Sequence, residues 1–110
     1  MEITFPPQFP SLPPFIRVVY PRFKFHTGHV TVGGSICISL LTLAEKVGWN
    51  PDTTMSSVLL LLHTTLIAGN ARVVNFQHED FNHPYPQLEY SGEEARRAFQ
   101  RVARDHGWEI

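Results

Sequence analysis

The sequence has one cysteine, no excess of positive charge and no long apolar run. A lone Cys37 excludes an internal disulfide framework and fits a reducing compartment. The net charge of -1 gives no electrostatic basis for binding nucleic acid or an anionic membrane. The longest apolar run, residues 58–62, is far shorter than the roughly 20 residues that span a bilayer. No charged-then-apolar segment opens the given sequence, so we do not expect a secreted protein. We therefore expect a soluble protein of the cytoplasm, the nucleus or both, with neither nucleic acid nor membrane as partner.

Histidine is plentiful, but the histidines do not form a recognisable metal-binding pattern. The six include His26 and His29, three positions apart, and a group with acidic residues at 78–83. Structural zinc sites combine several cysteines and histidines, and the chain has one cysteine and no H-E-x-x-H motif. We expect solvated loop histidines and neither a metal nor another cofactor.

The length of 110 residues, 43% of them hydrophobic, predicts a single domain over residues 1–110 with one core. Six of the nine prolines lie in the first 36 residues. Since proline cannot donate to a β-ladder, they predict short strands at residues 2–5 and 15–20, joined by rigid turns. A polyproline ligand is the alternative, which the strand-like residues between the prolines make the weaker one.

A central helix is predicted by "WNPDTTMSSVLLLLHTTLIAGN". Asp52, Thr53 or Thr54 would cap its start, and Gly69 with Asn70 would end it. Aliphatic residues on nearly every face predict a buried helix at the centre of the core.

A second helix is predicted by "SGEEARRAFQRVARDHGW". Ser91 and Glu94 have the spacing of a capping box, apolar residues then recur at helical spacing, and Gly107 ends the helix. The proline-broken residues 78–90 predict a loop. The elements together predict an α+β fold: a short antiparallel meander, a loop that carries Cys37, the central helix and a C-terminal amphipathic helix.

Cys37, within "GGSICISLLT", is either a small buried hydrophobe, as free cysteines often are, or the reactive atom of the protein. A cysteine hydrolase would need a histidine to take the thiol proton, and His63, His78 and His83 are the candidates. None of them lies in a recognisable peptidase signature.

Three segments resemble the ubiquitin-conjugating enzyme family, in the family's order. "FPPQFPSLPPFIRVV" is similar to its F-P-x-x-Y-P-x-x-P-P stretch, "GGSICISLL" to its active-site stretch, and "GWNPDTTMSSVLLLL" to the stretch that opens its central helix. "LLTLAEKVGW", "AGNARV" and "RVARDHGW" resemble the divergent Q class. The family's domain begins with a helix and a first strand. Met1 falls on what resembles the second strand, so the expected domain is shortened.

The resemblance implies that Cys37 forms a thioester with the C-terminus of ubiquitin or a ubiquitin-like modifier and passes it to an amine of a protein substrate. The implied partners are the modifier, its activating enzyme, a ubiquitin ligase and the substrate. Trp49 and Pro51 would pack the turn into the central helix, close to Cys37. The family's ligase-contact loops correspond to Ser11 and Leu12 and to Asn50, Pro51 and Asp52. The alternative is an inactive binding module of the same fold that contacts ubiquitin or ligase components.

Two positions depart from the family pattern. Thr27-Gly28-His29 stands where the family has H-P-N, so a ring N–H of His29 either replaces the asparagine amide as a donor or has no catalytic part. The acidic residue that often follows the central helix is absent from "GNARVVNF", which leaves open what deprotonates the attacking amine.

Overall fold

Two short antiparallel strands open the chain in the computed structural model, which describes residues 1–36, 38–43, 48–74 and 88–107. Strand β1 (Glu2–Thr4) pairs with strand β2 (Phe15–Arg17), and the pairing is antiparallel as predicted. Both strands are shorter than predicted. Pro6 cannot donate a hydrogen bond to extend β1. Residues 16–18, in and directly after β2, also pair with a second partner.

That partner is a tight hairpin over residues 30–36. The Val18 N–H donates to the Gly34 carbonyl at 2.8 Å, and the Ile36 N–H donates to the Ile16 carbonyl at 2.9 Å. Val30 and Ile36 form an antiparallel bridge across the hairpin. The hairpin therefore continues the sheet beyond β2 and ends on the residue that precedes Cys37.

Helix α1 (Met55–Ala68) begins at Thr54, whose side-chain oxygen accepts the Ser57 N–H at 3.2 Å. This is one of the three predicted caps. Asn70 provides the left-handed residue after the helix, with φ 56°.

The prediction that α1 is buried on nearly every face is wrong. Val58 and Leu62, one turn apart, are buried, and Met55 and Leu66 continue the same stripe as partly buried residues. The α1 residues in this stripe are the only ones of the helix that reach the main core cluster. The buried members of that cluster are Ile16, Val18, Val30, Ile36, Leu41, Val58, Leu62 and Tyr90. Four large apolar residues of α1 are exposed: Leu59, Leu60, Leu61 and Ile67.

Helix α2 (Gly92–Asp105) confirms the predicted amphipathic helix. Ser91 accepts the Glu94 N–H at 3.1 Å, and the Glu94 carboxylate accepts the Ser91 N–H at 3.0 Å, which completes the capping box. One face is buried: Ala95, Ala98, Phe99 and Ala103.

The two helices and the antiparallel strands confirm the α+β class. A 3-10 turn at Ser39–Leu41 lies between the hairpin and α1. Neither helix of the described segments is long and apolar enough to cross a membrane.

Candidate functional site

Cys37 lies outside the described residues, but both of its neighbours in the chain are described. Ile36 is 1% exposed and belongs to the main core cluster. Ile38 is half-buried and packs against the same cluster. The segment that carries the predicted nucleophile is thus held in the core on both sides of position 37.

The two glycines before this segment are required by the packing of the hairpin. An added Cβ at Gly33 would overlap the Glu94 carbonyl at the start of α2. Gly34 has φ 95°, and a Cβ there would lie 2.5 Å from the Tyr90 ring. The hairpin therefore rests against Tyr90 and the first turn of α2 more closely than any other residue type allows. This close approach is the physical reason for a glycine pair here.

Buried hydroxyls stiffen the same hairpin. The Thr31 and Ser35 side-chain oxygens lie 2.7 Å apart, and the Ser35 N–H donates to the Thr31 hydroxyl at 3.1 Å. The Thr31 N–H also donates to the Ser35 carbonyl at 2.9 Å. These paired polar groups satisfy one another inside the core.

Hydrogen bonds hold the Thr27-Gly28-His29 segment against the end of α1 and the residues that follow it. The Gly28 N–H donates to the Gly69 carbonyl at 2.9 Å, and the Thr27 hydroxyl accepts the Arg72 N–H at 3.2 Å. His29 is exposed, has φ 57°, and its ring edge would lie 2.9 Å from a Cβ added at Gly69. Its ring thus covers the end of α1.

His29 adopts a conformation that suits asparagine. The left-handed region is unfavourable for most side chains, while asparagine, aspartate and histidine are enriched there. His29 is exposed, and within the described segments its ring has no hydrogen-bond partner. Position 29 therefore fits a polar donor that remains available to a ligand.

Trp49 directly precedes one predicted ligase-contact loop and contacts the residues just before the other. Its indole N–H donates to the Pro10 carbonyl at 2.7 Å, and its ring centroid lies 6.1 Å from that of Phe9. Trp49 is also partly buried against the main core cluster, and its support of the active site stays a prediction.

Pro51 is exposed, and its role in supporting the site stays a prediction. The Asn50 side chain accepts the Asp52 N–H at 2.9 Å and the Asn50 carbonyl accepts the Thr53 N–H at 2.9 Å, which forms a tight turn with Pro51 exposed at its tip. Asn50 and Asp52 are exposed as well.

In the other loop Ser11 is exposed and Leu12 is half-buried. Trp49 brings the segment before Ser11 next to the turn at residues 50–52, so the two predicted contact loops form adjacent surfaces.

The histidines of the cysteine-hydrolase alternative are not assembled in the described part of the chain. His63 is exposed on α1, where it borders a groove with Asn70 and Arg72. His78 and His83 lie outside the described residues. Across residues 1–36, 38–43, 48–74 and 88–107, no three His, Cys, Asp or Glu side chains are grouped to hold a metal ion.

A buried charge network, not predicted from the sequence, fixes the start of α2 against the strand region. The Arg22 side chain is 1% exposed and donates to the Glu94 carboxylate at 2.7 Å and to the Glu89 carbonyl at 2.9 Å. Its guanidinium also lies 4.2 Å from the centre of the Tyr90 ring. The Tyr90 hydroxyl accepts the Phe23 N–H at 2.7 Å.

Two pKa values are shifted by this network. Burial would raise the pKa of Glu94, but the hydrogen bonds from Arg22 and Ser91 and the Arg22 charge together lower it below 4.5. Burial raises the pKa of Tyr90 above its usual value of 10.0, against the smaller opposing effects of the Phe23 N–H and Arg22. Tyr90 therefore remains a neutral phenol beneath the glycine hairpin.

Comparison with known proteins identifies one family. A family model described as ubiquitin-conjugating enzyme matches residues 1–86. The Homo sapiens ubiquitin-conjugating enzyme E2Q-like protein 1 is 32% identical over 111 residues, covering 98% of this chain and 62% of the relative. The Caenorhabditis elegans ubiquitin-conjugating enzyme E2 25 is 34% identical over 107 residues, covering 97% and 25%.

A third relative, the Mus musculus ubiquitin-conjugating enzyme E2 Q1, is 41% identical over 73 residues, covering 66% of this chain and 16% of the relative. The chain spans less than two thirds of the length of each of these relatives. These matches confirm the family resemblance, including its Q-class character, and the ubiquitin-conjugating-like fold.

Proposed function

The chain belongs to the ubiquitin-conjugating enzyme family, and we propose that Cys37 is its thioester-forming residue. The Cys37 thiolate attacks the carbonyl of the thioester that joins the modifier's C-terminus to its activating enzyme. A new C–S bond forms, and the activating enzyme's thiolate leaves. An amine of the protein substrate then attacks the Cys37 thioester, a C–N bond forms, the amine loses its proton and the Cys37 thiolate leaves. The modifier is ubiquitin or a ubiquitin-like protein.

One observation supports this proposal most strongly: the hairpin that leads to position 37 is built into the core. Ile36 is bridged to Val30, and Gly33 and Gly34 allow the close contact with Tyr90 and α2. A nucleophile that directly follows a hairpin packed in this way needs little reorganisation before it reacts.

We assign His29 the role of a hydrogen-bond donor to the oxyanion of the tetrahedral intermediate. The exposed ring without a hydrogen-bond partner in the described segments, and the left-handed backbone that asparagine also favours, support this role. Neutral imidazole carries one N–H, which is enough for one donor. The roles of Ser11, Leu12, Asn50 and Asp52 as ligase contacts are part of the same proposal.

The second candidate function is an inactive binding module. The segment that follows α1 favours it, because residues 69–74 carry Arg72 and no acidic residue. A carboxylate there would help to deprotonate the incoming amine. A module of this kind would bind ubiquitin or a ligase component without forming a thioester.

A charging assay separates the two functions. The protein is incubated with activating enzyme, ubiquitin and ATP, and the products are separated with and without a thiol reductant. The proposal predicts an adduct of one ubiquitin that the reductant removes and that Cys37→Ala does not form. A folded protein that forms no adduct, yet shifts ubiquitin resonances on titration, would be the binding module.

A further inference from the structure

A groove lies on the face formed by the proline-rich segment and α2, and of its lining only Leu12 has a role proposed above. Its volume is about 470 Å³, within the range of ligand sites. We call it the proline groove. Its floor is made by Pro14, Phe15, Leu41 and Phe99, and its rim includes Arg96 and Gln100 of α2. The turn at residues 50–52 is not part of its lining, whereas Leu12 of the other predicted ligase-contact loop is.

The floor of the proline groove is apolar and rigid. The Phe15 and Phe99 rings meet edge to face with centroids 5.6 Å apart, and Leu41 is 3% exposed. Two side chains of the walls remain open to solvent, Phe5 at 51% and Leu43 at 37%. An apolar side chain of a partner could therefore cover these walls and gain hydrophobic free energy.

Arg96 gives the rim a positive charge. Its guanidinium lies 4.6 Å from the centre of the Phe15 ring, so it stands over the groove's own floor residue. In the described segments no salt bridge involves Arg96, although its charge contributes a little to the lowered pKa of Glu2, which is paired with Arg17. Arg97 is paired with Glu93. Since an arginine held against an aromatic face still has N–H donors to offer, it suits a carboxylate.

We propose that the proline groove binds a peptide segment of a partner protein in which a bulky apolar side chain lies next to an acidic residue. The apolar side chain occupies the space above Phe15 and Phe99, and the carboxylate binds Arg96. A peptide is the expected occupant, because the groove is open at the surface and the polar residues Arg96 and Gln100 of α2 lie along one side of it. This surface goes beyond thioester transfer and does not require Cys37.

The test uses the full chain and a library of random 12-residue peptides displayed on phage. Enriched sequences are synthesised with a fluorescein label, and their affinities are measured by fluorescence anisotropy. We expect enriched peptides to carry an aromatic or large aliphatic residue within two positions of Asp or Glu. Arg96→Gln should weaken their binding about fivefold, as expected for an exposed charge pair. Leu43→Ser should weaken it as well by removing apolar contact.

Arg97→Gln is the matched control, because it removes the same charge from the next position of α2 outside the groove. It should change the affinity by less than a factor of two. Circular dichroism of each variant establishes that the fold is intact. No enrichment, enrichment of peptides without acidic residues, or equal losses in Arg96→Gln and Arg97→Gln would overturn the proposal. Self-association of the chain that Arg96→Gln abolishes would assign the groove to a second copy and overturn it too.

Discussion

The buried ion pair between Arg22 and Glu94 predicts an asymmetric response to substitution. Glu94→Gln preserves the capping box, because glutamine also accepts the Ser91 N–H, but it leaves the charge of Arg22 inside the protein without its counter-charge. Breaking a buried pair in this way costs about 3–5 kcal/mol. We expect about 3 kcal/mol, the lower end of this range, because the Glu89 carbonyl still accepts from Arg22.

The reverse substitution should cost less. Arg22→Met leaves Glu94, whose side chain is 18% exposed and keeps the Ser91 N–H, so water can still solvate part of the carboxylate. We expect a loss of about 2 kcal/mol. The double variant should lose about 3 kcal/mol, which is about 2 less than the sum, because neither charge remains to be buried.

The assay is urea unfolding followed by circular dichroism, with thermal unfolding as a check. For a domain of this size, 1 kcal/mol corresponds to about 4 °C in Tm, so Glu94→Gln should lower Tm by about 12 °C. Glu93→Gln is the control: it removes the neighbouring charge, 79% exposed and 3.5 Å from Arg97, and should cost less than about 1 kcal/mol. Additive losses in the double variant, or equal losses for the two glutamates, would refute the buried-pair reasoning.

Three further predictions concern stability, pH and the site. Gly33→Ala should lose about 1–3 kcal/mol in urea unfolding because the new Cβ overlaps the start of α2. Gly92→Ala, whose Cβ meets nothing nearer than 3.7 Å, should be neutral or stabilising; equal effects would count against the overlap. The difference in the free energy of unfolding between the parent and Glu94→Gln should have its full value above pH 4.5. It should shrink as the pH falls through the lowered pKa of Glu94, because protonation of the carboxylate removes its attraction to Arg22. A difference that is constant from pH 3 to 7 would contradict this. In single-turnover discharge to free lysine, His29→Gly should leave charging intact and slow transfer about 10²–10³-fold, with partial recovery in His29→Asn. His26→Gly, at the same left-handed backbone, is the control; equal rates for both glycine variants would remove His29 from the mechanism.

Local signals in the sequence predicted the helix boundaries well. The Ser91–Glu94 spacing is a capping box in the structure, and Thr54 was among the predicted caps of α1, because both contacts join residues only three positions apart. The burial of α1 was not predictable in this way. Apolar residues on every face show that any side of the helix could be buried. Which side is buried depends on where the other elements lie in the fold.

The long-range contacts could not be predicted from the sequence. Arg22 is paired with a residue 72 positions away, and nothing near Arg22 in the sequence indicates that an arginine will be buried. The glycine pair was noted as part of a motif, but its cause, the contact with Tyr90 and α2, requires the folded chain. Cys37 was singled out through the family motif, since a lone cysteine by itself is as consistent with a buried hydrophobe.

The measurement that tests the central claim most directly is the charging of Cys37→Ser followed by intact-mass analysis and peptide mapping. Replacing sulfur by oxygen at the nucleophile should convert the thiol-sensitive thioester into an oxygen ester that withstands the reductant and is cleaved by hydroxide. The account predicts one ubiquitin linked through its C-terminus to the peptide that carries position 37. A folded, parent-like chain that acquires ubiquitin on a lysine alone, or acquires none with either residue at position 37, would contradict it.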